Sequence, residues 1–121
     1  MRKDQAWHST LEYLTAKGNY QVLCFDNRGV GHSEHSNDGR FYKTTQMASD
    51  VEELLHLVGW IEPNSNLISC MNETLDTNSD SLLPLWDDTV PSKFSVVGIS
   101  MGGMIALELA LLIPERINAL I

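Results

Sequence analysis

Five residues, Gly98-Ile99-Ser100-Met101-Gly102, constrain the fold more than any other feature of the chain. They stand between an apolar run, Phe94-Ser95-Val96-Val97, and a long apolar stretch from Met104 to Ile113. A G-x-S-x-G segment in that setting asks a strand to turn sharply into a helix with the serine at the apex. The residues two places either side must be small so that strand and helix can approach, which Gly98 and Gly102 provide and Gly103 continues. Such a turn pushes the Ser100 hydroxyl out at the C-terminal edge of a sheet. It also leaves the Met101 amide at a helix N-terminus, where it faces developing negative charge. The alternative is a glycine-rich packing turn whose serine merely caps the helix. Two rival glycine motifs fail. A dinucleotide fingerprint would need glycine in place of Ser100, and Gly29-Val30-Gly31 has Glu34 where its third glycine should stand. No phosphate loop of the G-x-x-x-x-G-K-[ST] form is present.

The rest of the chain alternates between helical and strand patterns. Trp7, Leu11 and Leu14 predict a helix over 4–17, with Lys17 at its end and Gly18 just past it. Val22-Leu23-Cys24-Phe25 is a short continuous apolar run, expected to be a strand buried on both faces, with Cys24 as a small buried hydrophobe. A polar loop, Asp26 to Ser33, follows. Met47, Val51, Leu54, Leu55 and Val58 fall on one stripe of a helix over 44–58, stopped by Gly59. The helix after Gly103 is apolar nearly all round, Glu108 being its one charge, and is therefore expected to be buried, ending at Pro114. Asn118 to Ile121 reads as a further strand. The order helix, strand, helix, insertion, strand, helix argues for an α/β fold with a parallel sheet.

The 121 residues suffice for one small domain. A net charge of −8 argues against a nucleic-acid partner. No apolar stretch is long enough for a membrane span and the N-terminus has no secretory apolar region, so a cytoplasmic protein without a stable membrane anchor is expected. Cys24 and Cys70 have no zinc spacing and suggest no disulfide framework, and no metal site is expected. Residues 61–92 differ from the rest: Glu62, Glu73, Asp76, Asp80, Asp87 and Asp88 meet no Lys or Arg and carry −6 of the net charge. This segment reads as an acidic, flexible insertion. Its Asn72-Glu73-Thr74 matches a glycosylation sequon, which the expected compartment would leave unused.

Three segments in order carry a family resemblance. Phe25-Asp26-Asn27-Arg28-Gly29-Val30-Gly31-His32-Ser33 resembles the D-x-R-G-x-G-x-S loop after the fourth strand of α/β-hydrolases. Phe94 to Gly103 resembles the nucleophile elbow after their fifth strand. Pro114-Glu115-Arg116 resembles the P-x-R that follows the nucleophile helix. The resemblance covers roughly 5–60 and 93–121 and implies a partial α/β-hydrolase domain over 1–121, interrupted by the insertion.

The resemblance implies Ser100 as nucleophile and the Met101 N–H as an oxyanion donor, with Gly98, Gly102 and Gly103 shaping the elbow. Asp26, Arg28, Gly29 and Gly31 belong to the earlier loop, where Asp26 and Arg28 read as an internal pair. A serine rather than an aspartate implies acyl chemistry on a small-molecule substrate, without a cofactor. A serine needs a base and an orienting carboxylate, which in this fold follow the nucleophile. Only Glu108 and Glu115 follow Ser100, at positions unlike the family's acid, and no histidine does. His8 and His56 read as surface or packing residues, and His32 and His35 as loop residues. In the family the third strand lies between the fourth and the fifth, so the first two strands seen here would not touch. The expectation is an internal piece of a serine hydrolase of the esterase or lipase type, inactive alone. A short non-catalytic product, acyl transfer or a cofactor-free oxidation are the alternatives.

Overall fold

A computed structural model describes residues 7–34, 41–62 and 92–121. The chain divides into two units, Met1–Phe41 and Tyr42–Ile121. The acidic stretch expected at 61–92, with Cys70 and the Asn72 sequon, falls outside the described residues except at its ends, as does His35.

In the first unit, helix α1 runs His8–Ala16. Its spacing is the one expected: Trp7, Leu11 and Leu14 are half-buried along one side. Gly18, at φ +69°, ends the helix and donates its N–H to the Thr15 carbonyl at 3.0 Å. That left-handed conformation is why glycine suits the position. The expected strand at Val22–Phe25 does not form. These residues have no ladder partner among the described residues, Val22 and Phe25 are 37% and 41% exposed, and Cys24 is exposed rather than buried. An apolar run becomes a strand only when neighbouring backbone takes up its donors and acceptors.

The second unit has α2 over Thr44–Leu57, β1 over Phe94–Val96, α3 over Met101–Leu112, a 3-10 turn at Pro114–Arg116 and β2 over Ile117–Leu120. The start of α2 is held by Gln46, whose Oε1 accepts the Lys43 N–H at 3.1 Å, the reciprocal half of a capping box. At its other end Gly59, at φ +76°, stops the helix. Met47, Ala48, Val51 and Leu55 are buried as the apolar stripe requires, and Ile61 beyond the stop joins them. Val58 departs from the expected stripe and is 42% exposed.

The core lies between α2 and α3. Ile105, Ala106 and Leu109 of α3, with Ile113 at its end, supply the opposing face. Burying each large side chain there contributes roughly 1.5–3 kcal/mol. The rest of α3 corrects the expectation of all-round burial. Met104, Leu107, Leu111 and Leu112 are exposed, Leu111 by 79%. The helix is apolar around its whole circumference, yet α2 covers one side of it.

β1 and β2 pair in parallel. Phe94 and Val96 are half-buried and Ser95 exposed, so β1 alternates instead of being buried on both faces. The Trp60 ring meets that of Phe94 in a tilted arrangement, with centroids 6.1 Å apart and planes at 56°, within the range of aromatic pair contacts. No helix among the described residues is long and apolar enough to cross a membrane.

Candidate functional site

The turn from β1 into α3 is built around Ser100, which has φ +56° and ψ −120°. Among the described residues it is the one non-glycine residue at positive φ. These angles match the first central position of a type II′ turn, where glycine dominates because a Cβ crowds the backbone. The turn is closed by the Gly102 N–H, which donates to the Ile99 carbonyl at 2.9 Å. Holding a serine there costs on the order of 1–3 kcal/mol, and such strain persists only where its surroundings enforce it.

The enforcing contacts lie on both sides. Before the turn, the Gly98 N–H donates to the Ile121 carbonyl at 3.0 Å, and the Ile121 N–H to the Val96 carbonyl at 2.9 Å. The parallel ladder therefore runs past β1 to the foot of the turn. After it, the N–H groups of Gly103 and Met104 both donate to the Ser100 carbonyl, at 3.0 and 3.3 Å. The close approach of strand and helix falls on Gly98. A Cβ there would collide with the Gly102 carbonyl and stand 2.7 Å from the Gly103 nitrogen. Gly103 is less constrained, its Cβ position lying 3.4 Å from the Gly98 carbonyl oxygen, an ordinary van der Waals contact. Gly102 corrects the expectation that both flanking glycines are sterically required. A Cβ there would have nothing within 4 Å among the described residues; what matters at 102 is the backbone that Gly98 faces.

The capping alternative is not what the turn shows. Ser100 occupies the N-cap position, but its side chain makes no capping hydrogen bond. Its residue is exposed, so the hydroxyl is left to solvent. The Met101 N–H, first in α3, has no acceptor among the described residues, as is usual for the first turn of a helix. A strained serine and a free helix-terminal N–H thus stand side by side. No described histidine or carboxylate bonds the Ser100 hydroxyl.

The other sequence-predicted residues lie in the first unit. The loop Asp26–Glu34 closes on itself. Asp26 Oδ2 accepts the His32 N–H at 3.2 Å, and its carbonyl accepts the Ser33 hydroxyl at 2.7 Å. The Gly29 N–H donates to the Glu34 carbonyl at 2.9 Å. Gly29 and Gly31 take φ +72° and +58°, and a Cβ on Gly31 would collide with the Asp26 carboxylate. The carboxylate turns to the His32 N–H, six residues on, because the two left-handed glycines fold the backbone back over it. Among the described residues no three His, Cys, Asp or Glu side chains group to hold a metal ion.

His56 is buried at 8% exposure, and its Nδ1 has no hydrogen-bond partner among the described residues, which makes it a packing residue of α2. The sequence showed it beside the apolar stripe. Arg116 of the P-x-R segment reaches back across the sheet, its Nη1 donating to the Ser92 carbonyl at 3.4 Å.

Comparison with known proteins bears on the fold of the chain. A family model described as the alpha/beta hydrolase fold matches residues 4–121. The provisionally named non-heme bromoperoxidase BpoC of Mycobacterium tuberculosis, from strains CDC 1551 / Oshkosh and ATCC 25618 / H37Rv, is 27% identical over 115 residues. That alignment takes in 95% of this chain and 31% of each relative, so the chain spans about a third of the length of the curated relatives it matches. No solved structure matches it significantly. With a family match running through both glycine-bearing turns and the parallel pair, the chain belongs to the alpha/beta-hydrolase fold family.

Proposed function

We propose that the chain carries the nucleophile of a serine hydrolase that cleaves an ester or related acyl bond. The observation that supports this reading is Ser100 itself: a serine at φ +56°, uncapped and exposed, where a glycine would cost less. Strain of that kind at a strand-to-helix turn is a feature of sites that must present a side chain.

In this reading the Ser100 hydroxyl loses its proton to a base as its oxygen attacks the acyl carbonyl. The carbonyl oxygen takes up negative charge and accepts the Met101 N–H, a donor already aimed by the start of α3. Collapse expels the alcohol, which takes the proton back, and leaves an acyl-serine that water hydrolyses. The base and its orienting carboxylate are not among the described residues, so activity is proposed for the whole protein and not for this segment.

Fluorophosphonate labelling of a native lysate tests the reading. A label on the Ser100 peptide is the expected result, and Ser100→Ala in the full-length protein should lower kcat on an activated ester by at least about a thousandfold. An unlabelled protein whose Ser100→Ala variant keeps its esterase activity would overturn it, and an unlabelled species of this chain's own 13.5 kDa mass would favour a non-catalytic product.

The name of the M. tuberculosis relative favours a second reading on the same serine. If hydrogen peroxide replaces water at the acyl-serine, the product is a peracid. The peracid oxidises bromide to hypobromite and is itself reduced to the carboxylate. Bromination that needs peroxide, a carboxylic acid and Ser100 together would select this reading; peroxide without effect on the products would select hydrolysis.

A further inference from the structure

The pairing of β1 with β2 contains an irregularity that neither strand's apolar pattern requires. Phe94 stands opposite Ile117, but Ser95 stands opposite Ala119 and Val96 opposite Leu120. Asn118 is skipped: it is the extra residue of a bulge in β2. Bulges are rare between parallel strands and cluster beside active sites, where they re-aim a side chain. The alternating burial of the two strands would match without it, since Ile117 and Ala119 are half-buried like Phe94 and Val96, and Asn118 exposed like Ser95. Something else must hold the shifted register.

Two side-chain bonds lie at the bulge and just before it. Asn118 Nδ2 donates to Ser95 Oγ at 3.5 Å, and Arg116 Nη1 donates to the Ser92 carbonyl at 3.4 Å. Both bonds are long; the first joins the skipped residue of β2 to β1, and the second joins the residues that lead into the two strands. The register they hold decides which residue of β2 reaches the foot of the serine turn. With the bulge, Ile121 sits between Val96 and Gly98, accepting from one side and donating to the other. Without it, Leu120 would stand there and the ladder under Gly98 would move by one residue. Because period-2 side chains change face with each single-residue slip, the foot of the turn would be rebuilt.

We propose that Asn118 and Arg116 are positioning residues for Ser100: they pin the β2 bulge and so fix the height and direction at which the strained turn presents its hydroxyl. The proposal rests on the reading of Ser100 as nucleophile for its catalytic consequence, but not for the register itself. The test uses the full-length protein with Asn118→Ala, Ser95→Ala, their double variant, and Arg116→Leu beside Arg116→Lys. Ser95→Ala, a mild change at an exposed site, keeps the test open should an Asn118 or Arg116 variant fail to fold.

Two quantities are read. The first is the rate of fluorophosphonate labelling per folded molecule. The second is hydrogen-exchange protection of the Gly98 and Ile121 amides. Asn118→Ala and Ser95→Ala should each slow labelling about tenfold, because small misplacements of a reacting group are costly. They should expose the Gly98 amide to exchange, and the double variant should do no more than either single change. Arg116→Leu should act in the same direction and Arg116→Lys should restore most of the rate. Variants that only lower the melting temperature, with labelling and Gly98 protection unchanged, would overturn the proposal. If the parent protein does not label at all, the nucleophile reading falls. The Gly98 amide then still decides whether these residues set the register.

Discussion

The loop Asp26–Glu34 and the turn at Ser100 start from similar sequence, an apolar run leading into a segment with two or more glycines, and they are held in different ways. The first closes on bonds to itself: His32 N–H to the Asp26 carboxylate, Ser33 hydroxyl to the Asp26 carbonyl, Gly29 N–H to the Glu34 carbonyl. It keeps its form although the run before it is not a strand. The second depends on residues distant in sequence. Its foot is bonded to Ile121 and its rear wall is the helix backbone at Gly102. A locally closed turn needs no sheet. A strained serine does, because only a fixed ladder and a packed helix can offset its unfavourable angles. The two should therefore answer differently to the same kind of substitution.

The largest effect is expected at Gly98. In Gly98→Ala the new methyl would meet main-chain atoms of Gly102 and Gly103, which cannot rotate away as a side chain can. Strand and helix would have to separate, at a cost of about 3 kcal/mol. A urea denaturation midpoint for the full-length protein reads this directly. Because the turn is tied to β2 and α3, the whole cooperative transition should shift, and Ser100 labelling should fall with it. A midpoint shift worth less than about 1 kcal/mol would mean that the approach at Gly98 is not a tight one.

Gly31→Ala makes the matching test in the loop. Here the obstruction is the end of a side chain, the Asp26 carboxylate, and the left-handed φ of +58° adds strain of its own. The cost should be about 2 kcal/mol, from the backbone angle and the weakened bond to the His32 N–H. It should also be local. The His32 amide should lose protection from exchange while the global denaturation midpoint stays in place. Adding Asp26→Ala removes both the obstruction and the bond, so the double variant should cost less than the two single ones together. A shift in the global midpoint equal to that of Gly98→Ala would erase the contrast between a locally and a distantly held turn.

What could be read from the sequence follows the same division. α1, α2 and α3 were legible because helices are bonded within themselves and their apolar spacing survives any surroundings. The turn at Ser100 was legible because its glycines and serine have few other uses in that order. The Val22–Phe25 run was misread, since its apolar character says nothing of whether a neighbour takes up its backbone. The face of α3 bearing Leu107 and Leu111 was misread for the same reason: apolarity around the whole helix shows a capacity for burial, while burial itself depends on what packs there. The free Nδ1 of His56 and the bulge at Asn118 left no signal. Register between strands is a relation between two segments, and Asn118 looked like any exposed strand residue.

The smallest expected effect separates two glycines that the motif treats alike. Gly102 lies inside α3, its φ is not positive, and a Cβ there would enter open space. Its N–H, the bond that closes the serine turn, is kept in alanine. Gly102→Ala should therefore leave the turn intact and stabilise the protein by roughly 0.5 kcal/mol. The gain comes from the unfolded chain, which loses less freedom when alanine rather than glycine enters a helix. Ser100 should label at the parental rate. The paired measurement, Gly98→Ala against Gly102→Ala, asks whether the small residues of G-x-S-x-G serve one purpose or two. A gain at 102 beside a large loss at 98 would assign the close approach to Gly98 alone and leave Gly102 defined by its backbone. A loss at 102 of more than about 1 kcal/mol would place a neighbour against it from outside the described residues, and the two glycines would then share one steric role.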